Sequence, residues 1–567
     1  MTARAVVFLI TFVVSSCTLW AQAKPAECKS CHDSEAKVAA SSHASLSCDT
    51  CHDQHTAYPH PKGVEKPACS TCHPEAAEAT AKNVHGLALK AGNTGAPECA
   101  SCHGGGHEVA KASVPEFRKT LADTCGMCHT EPAEQFKASV HGQAVANGLK
   151  GAPTCTDCHG EHTILSTDQA GSPANKNNVR ETCGRCHGDV RLASRFGLPL
   201  DRVTSFDSSF HGLAAKGGAQ SVANCASCHG FHNILPSTDA KSMTHQSNLP
   251  KTCGQCHPGA GTRFSLGTIH FTEGGNEPGP VRWVRLAYWG LIPLTVGLMF
   301  LHHLGDWIRK FIQMRLRPVG AALTRHSGMP GELRMYAFER VQHALLAVSF
   351  IVLGWTGFAL KWPDAWWAWP LVAWESVWPV RGTVHRTAAV IFVLCGVIHM
   401  ISLITSKRLR EHWMTLIPGL RDIREGVAMM AYNLGLRKTK PTVSAHGYME
   451  KVEYWAVVWG AVVMGISGAL LWFNNWSLQQ FPKVWLDVAN AVHYYEAVLA
   501  CLAIVIWHFY TVIFDPEVYP MDTAWLTGRT VRKRDHASHG AGSHGSPGSR
   551  TEPEPAHREA ADHDSQQ

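Results

Sequence analysis

Cys99-Ala100-Ser101-Cys102-His103, matched letter for letter by Cys225-Ala226-Ser227-Cys228-His229, is the stretch that decides how this chain folds. Nine copies of the pattern Cys-x-x-Cys-His lie between Cys28 and His257, and they use 18 of the 21 cysteines. Their thiols are Cys28, Cys31, Cys48, Cys51, Cys69, Cys72, Cys99, Cys102, Cys125, Cys128, Cys155, Cys158, Cys183, Cys186, Cys225, Cys228, Cys253 and Cys256. Their imidazoles are His32, His52, His73, His103, His129, His159, His187, His229 and His257. Two thiols at this spacing reach the two vinyl-derived carbons on one haem edge, and the adjoining imidazole reaches the iron. With 35 His in 567 residues, nine coincidences by chance have odds on the order of 10⁻¹¹. A zinc ribbon or a set of vicinal disulfides needs no His at that fixed place. The motifs imply nine covalent c-type haems.

Outward from the motifs, composition divides the chain. Residues 24–280 contain one Tyr and no Trp, whereas nearly all of the 19 Trp fall within 283–514. A Trp-free, Cys- and His-rich segment cannot build an ordinary apolar core, and porphyrins would supply one. The formal charge of +6 is modest and gives no reason to invoke nucleic acid. Residues 1–23 read as a secretory signal, with Arg4, an apolar run from Val6 to Val14 and the small-x-small stretch Ala21-Gln22-Ala23. An alternative makes Cys17 an acylated lipoprotein cysteine. Export agrees with the motifs, because bacterial c-type haem is attached outside the cytoplasmic membrane.

Repeats organise the exported part. His85, His141 and His211 each precede a motif cysteine (Cys99, Cys155, Cys225) by fourteen residues, and each is followed by Gly. His107, His162 and His232 follow those motifs closely, with His43 and His55 in the same places of a degenerate first copy, and His270 closes a final half-unit. These nine are the candidate second ligands, in register with nine motifs. Two axial imidazoles keep iron low-spin and block small-molecule binding, which suits electron transfer. His60 and His245 fall outside the repeat and read as surface histidines. Which lone His serves which motif stays open, since distal ligands often come from neighbouring repeats.

The fold class is therefore mainly α: a periplasmic multihaem cytochrome c domain with little regular structure, followed by a five-helix transmembrane bundle. The expected units are 1–23 (signal), 24–257 (haem-c repeats), 258–282 (linker), 283–515 (membrane) and 516–567, a largely disordered cytoplasmic tail. The spans are read as Val284–Leu304, Val341–Leu360, Val384–Ile404, Tyr454–Phe473 and Ala491–Phe514. Lys and Arg crowd the loops after the first, third and fifth. The positive-inside rule then puts the haem-c domain outside and the C-terminus in the cytoplasm. Histidines inside spans are usually functional. His385 and His399 in the third span, His493 and His508 in the fifth, and His343 entering the second form a set that can hold two b-type haems, one near each membrane face. Spacing alone favours His399 over His343 for the deeper site.

The segments Glu339-Arg340-Val341-Gln342-His343, Val384-His385-Arg386-Thr387-Ala388, Glu450-Lys451-Val452-Glu453-Tyr454-Trp455 and His493-Tyr494-Tyr495-Glu496-Ala497 through Trp507-His508 resemble the di-haem cytochrome b subunits of formate dehydrogenase and nickel-iron hydrogenase. The resemblance covers 335–515. With nine haem-c motifs in front, the whole chain resembles the CbcL-type inner-membrane cytochromes, which pass quinol electrons to the periplasm. The resemblance implies His385 with His493 on the outer haem and His343 with His508 on the inner one, with His399 in reserve. It also implies a quinone near the inner haem, where His446, Tyr448 and Glu450 are candidate contacts. Gly447 and Met449 stand where the family has an Asn and a Gly, a departure that puts the pocket's details in question.

The expected function is oxidation of menaquinol from the membrane quinone pool, with electrons leaving to periplasmic cytochromes or other redox acceptors. This would be a quinol:cytochrome c-type oxidoreductase in the bacterial inner membrane, embedded in the lipid bilayer. One alternative is a terminal reductase of a small nitrogen or sulfur compound, which would need an iron with an open position. Another is a non-catalytic anchor subunit for a separate dehydrogenase or reductase.

Overall fold

The computed structural model describes residues 28–55, 60, 62–63, 65–272, 274–316, 333–442 and 447–529. The signal segment with Cys17, His446 and the tail from 530 onward lie outside the described residues. Among the described residues no strand is formed, and the mainly α class stands. The haem-c region is itself a string of short helices, more regular than its composition suggests.

The reason is local. The repeated Val/Phe-His-Gly segments open the short helices Val84–Lys90, Val140–Ala146 and Phe210–Lys216. The residue before each caps it: Asn83, Ser139 and Ser209 accept hydrogen bonds from the backbone N–H of Gly86, Gly142 and Gly212. Each Gly lies so close to the preceding helix that an added Cβ would stand 2.0 Å from the carbonyl oxygen of Thr80, Phe136 or Phe206. No side chain fits there. Successive repeats are tied together by backbone bonds, Val84 N–H to the Ile164 carbonyl and Val140 N–H to the Ile234 carbonyl, both 2.9 Å.

Among the described residues five helices are long and apolar enough to cross a membrane: α1 Gly279–Arg315, α2 Ala337–Lys361, α3 Val380–Thr405, α4 Tyr448–Trp472 and α5 Lys483–Phe514. Each begins about four to eight residues before the expected apolar stretch, because the preceding polar residues continue the same hydrogen-bonded helix. The last two turns of α5 widen into π-helix over Ile504–His508 and Tyr510–Phe514, a local form that often marks functional positions. α2 packs on α3, α4 on α5 and α1 on α5. The haem-c region sits against one end of this bundle. There Lys483 Nζ reaches the Thr268 carbonyl at 3.4 Å, Lys216 pairs with Asp364, and His257 Nδ1 lies 2.9 Å from Asn475 Oδ1.

Candidate functional site

Two imidazoles on opposite faces of one haem iron have a fixed spacing. An iron–nitrogen bond of about 2 Å plus about 1.1 Å from nitrogen to ring centre, taken twice, gives about 6.2 Å. All nine motif histidines have such a neighbour. His32 lies 6.1 Å from His60, His52 5.8 Å from His107 and His73 6.2 Å from His43. His103 is 6.0 Å from His162, His129 6.2 Å from His85 and His159 6.0 Å from His232. His187 is 6.1 Å from His141, His229 6.2 Å from His270 and His257 6.2 Å from His211. Two more pairs stand inside the bundle, His385 with His493 at 6.4 Å and His343 with His508 at 6.3 Å.

The partners come from other repeats in a regular alternation. A His before a motif (His85, His141, His211) faces the next-but-one motif histidine, and a His after a motif (His107, His162, His232) faces one in an earlier repeat. The first cysteines of successive motifs abut: Cys28 with Cys48, Cys69 with Cys99, Cys125 with Cys155, Cys183 with Cys225. Motifs therefore come in close couples, with the ninth at Cys253 beside the bundle.

Several rings are held by their Nδ1 atoms, which leaves Nε2 free to face its partner. Ser205 Oγ lies 3.0 Å from His270 Nδ1, Thr356 Oγ1 2.8 Å from His385 Nδ1 and Ser467 Oγ 3.0 Å from His493 Nδ1. Glu453 Oε2 lies 3.3 Å from His508 Nδ1. Orientation of this kind is what a ligating imidazole requires. Glycine again clears the way, since Gly357 and Gly468 would bring a Cβ to 3.6 and 3.2 Å of His385 and His493. In the haem-c region, burial and the neighbouring His187 push His141 down to about 4, so it is a neutral ring, the form that binds metal.

A single continuous cavity of about 4450 Å³ runs from the middle of the haem-c region through the bundle. Five of the nine outer pairs line it, from His85 and His129 to His229 and His270, and so do both bundle pairs. The paired rings, free Nε2 atoms and flat apolar space between them fit haem.

Some residues stand apart from the expected set. His55 lies edge-on to His52 at 5.1 Å and to His60 at 5.1 Å, and it is His60 that takes the spacing to His32. His399 Nε2 faces the Tyr454 hydroxyl at 3.1 Å, packs on Trp413 and does not line the cavity. Among the quinone candidates, Glu450 lines the cavity beside Arg334 at 3.7 Å, whereas Tyr448 turns away into a buried cluster. They are two residues apart on a helix and face different ways. The sequence reading passed over His302 and His303 in α1, both 4% exposed; the rarity of histidine inside an apolar span was the available signal.

The arrangement is that of a multihaem-type region of paired imidazoles joined to five helices long and apolar enough to cross a membrane, and both parts have relatives among cytochromes. Residues 334–523 match the family of prokaryotic cytochrome b561. A further stretch of 96 residues is 40% identical to the multiheme cytochrome MtrA of Shewanella baltica (strain OS185), covering 16% of this chain and 25% of that protein. The chain thus spans a quarter of the length of this curated relative. No solved structure matches the chain.

Proposed function

We propose that the protein oxidises menaquinol in the bacterial inner membrane and delivers the electrons to periplasmic acceptors, soluble cytochromes or other redox partners. The observation that carries this reading is the set of eleven imidazole pairs, seven of which line one cavity joining the haem-c region to the membrane bundle. When bound, nine c-type and two b-type haems supply a chain of one-electron carriers from one membrane face to the other.

The cysteines of each motif would hold the c haems, with pairs assigned by spacing, His60 rather than His55 serving the first motif. His385 and His493 would hold the outer b haem, and His343 and His508 the inner one. A second imidazole at every motif favours electron transfer over reduction of a small substrate at an open iron. The haem-c repeats (24–257) lie in the periplasm in this reading, with the linker 258–282, the membrane unit 283–515 and a cytoplasmic tail. Glu450 at the inner end of the cavity, with His446 and Tyr448 nearby in sequence, is the candidate quinone contact. Thr356, Ser467 and Glu453 orient the b-haem ligands and tune their basicity.

Two measurements test this on the full-length protein. Pyridine haemochrome spectra should give c and b haem in a 9:2 ratio. Menaquinol should reduce the b haems before the c haems in a reaction blocked by a quinone-site inhibitor. No reduction by quinol, in protein fully reducible by dithionite, would refute the assignment.

A further inference from the structure

We propose that α1, which lies outside the matched cytochrome b561 region, carries the proton-release path for quinol oxidation, from Tyr448 through His302 and His303 to Asp306 and Lys310. This rests on the quinol reading above and extends it.

In its membrane section α1 is inverted relative to an ordinary lipid-facing helix. Its described buried residues are Val281, Arg285, His302 and His303, while Leu294, Leu298, Phe300 and Trp307 are exposed. The helix hides its polar groups inside the bundle, where they meet a defined chain. Tyr448 OH lies 2.5 Å from His302 Nε2, and the His302 and His303 rings are 5.0 Å apart. The His303 ring packs at a tilt on Tyr510, 4.3 Å between centres, and the Tyr510 hydroxyl donates to Asp306 Oδ2 at 2.6 Å. Lys310 Nζ lies 2.6 Å from Asp306, 2.8 Å from Asp515 and 3.8 Å from Glu517, which is 40% exposed. His302, Asp306 and Lys310 fall at i, i+4 and i+8, one above another on the same face. The chain runs from the start of α4 to the surface at the bundle end opposite the haem-c region.

Geometry separates a proton path from a merely structural cluster. His302 Nδ1 and both nitrogens of His303 are buried without a hydrogen-bond partner, as is Trp507 Nε1. A structural polar cluster in a bilayer satisfies its groups, because hydrocarbon offers a bare donor or acceptor nothing in exchange for water. Imidazoles that must take and pass a proton need an unengaged nitrogen. Trp507, which packs on His302 at 5.5 Å and His303 at 4.5 Å, adjoins His508 in sequence, so the path passes beside the inner histidine pair.

The step balances. Menaquinol would give two electrons, one at a time, to the oxidised haem that His343 and His508 would hold, and its two hydroxyl protons would leave as the quinone forms. For each, Glu450 at the cavity takes the proton first, and Tyr448, two residues before it on α4, regains a proton at its oxygen as its own hydroxyl proton moves to His302 Nε2, leaving the tyrosine unchanged. Rotation of the His302 and His303 rings, whose nitrogens are unengaged, hands the proton on to the Tyr510–Asp306 pair, and Lys310 with Asp515 and Glu517 passes it to the surface.

The test uses full-length protein in menaquinol-containing vesicles, with His302→Gln and Asp306→Asn compared with wild type. Menaquinol should reduce the b haems roughly 10²-fold more slowly in His302→Gln, with a larger slowing in deuterium oxide and partial recovery on adding imidazole. Reduced methyl viologen, which brings electrons without protons, should reduce both proteins at equal rates. Wild-type quinol rates in both variants would overturn the path. Equal slowing with quinol and viologen, insensitive to imidazole, would overturn it in favour of a structural role. If His302→Gln loses haem, Asp306→Asn near the surface decides alone by the same criteria. A wild-type protein reduced by viologen and never by menaquinol would instead remove the quinol reading, and this path with it.

Discussion

Replacing Gly142 by Ala should open one of the c-haem irons. The added Cβ would stand 2.0 Å from the Phe136 carbonyl oxygen, against the 3.4 Å at which ordinary contact begins. That oxygen cannot retreat freely, since it accepts from the Ser139 N–H at 2.9 Å and the Ser139 hydroxyl at 2.6 Å. The helix Val140–Ala146 must therefore give by about 1.4 Å, while metal–ligand distances tolerate about 0.2 Å. His141 lies in the first turn of that helix and faces His187, so it is the ring that loses its place. Overpacking of this kind also costs about 1–3 kcal/mol. The expected result is one high-spin iron per molecule, seen by electron paramagnetic resonance and by a carbon monoxide-induced shift of the Soret band. Gly105→Ala, where a Cβ meets nothing within 4 Å, is the control and should change neither. A Gly142→Ala protein with low-spin irons alone and an unchanged unfolding midpoint would refute the packing argument and the His141–His187 pairing.

Two further outcomes follow from distances given above. His60→Ala should create a carbon monoxide-binding iron at the first motif, whereas His55→Ala should not; the reverse result would return the ligand role to His55. Glu453→Gln removes the carboxylate beside His508 Nδ1, making the ring a weaker electron donor, so the inner b haem should rise in potential by on the order of tens of millivolts in a redox titration, and no rise would dissociate Glu453 from that site.

The architecture was legible because two strong signals act at short range. Cys-x-x-Cys-His is a local pattern, and an apolar run about 20 residues long needs no partner to be read as a span. The repeat of His85, His141 and His211 was equally plain, down to the Gly that follows each. What the sequence withheld was the connection between them. His103 meets His162, and His129 meets His85, because backbone bonds such as Val84 to Ile164 interlock neighbouring repeats, and no spacing rule encodes that. His60 escaped the register argument because the first copy is degenerate there. Within the membrane, helical spacing favoured His399, yet the Tyr454 hydroxyl engages its Nε2. Depth and neighbours decide such a case, and period does not. His302 and His303 sit side by side on one helix, so a pattern of facing pairs across helices does not point to them.

The alternation of partners between repeats bears on how the protein is born. Under the proposed pairing, His73, His129, His187 and His257 find their second imidazole already made, whereas His52, His103, His159 and His229 must wait for a later repeat to emerge from the export channel. Maturation then proceeds as a weave, each new repeat closing an iron left exposed by the one before it. A chain cut short anywhere between His52 and His270 would carry at least one such unfinished and reactive centre, a built-in mark by which quality control could tell an incomplete molecule from a finished one.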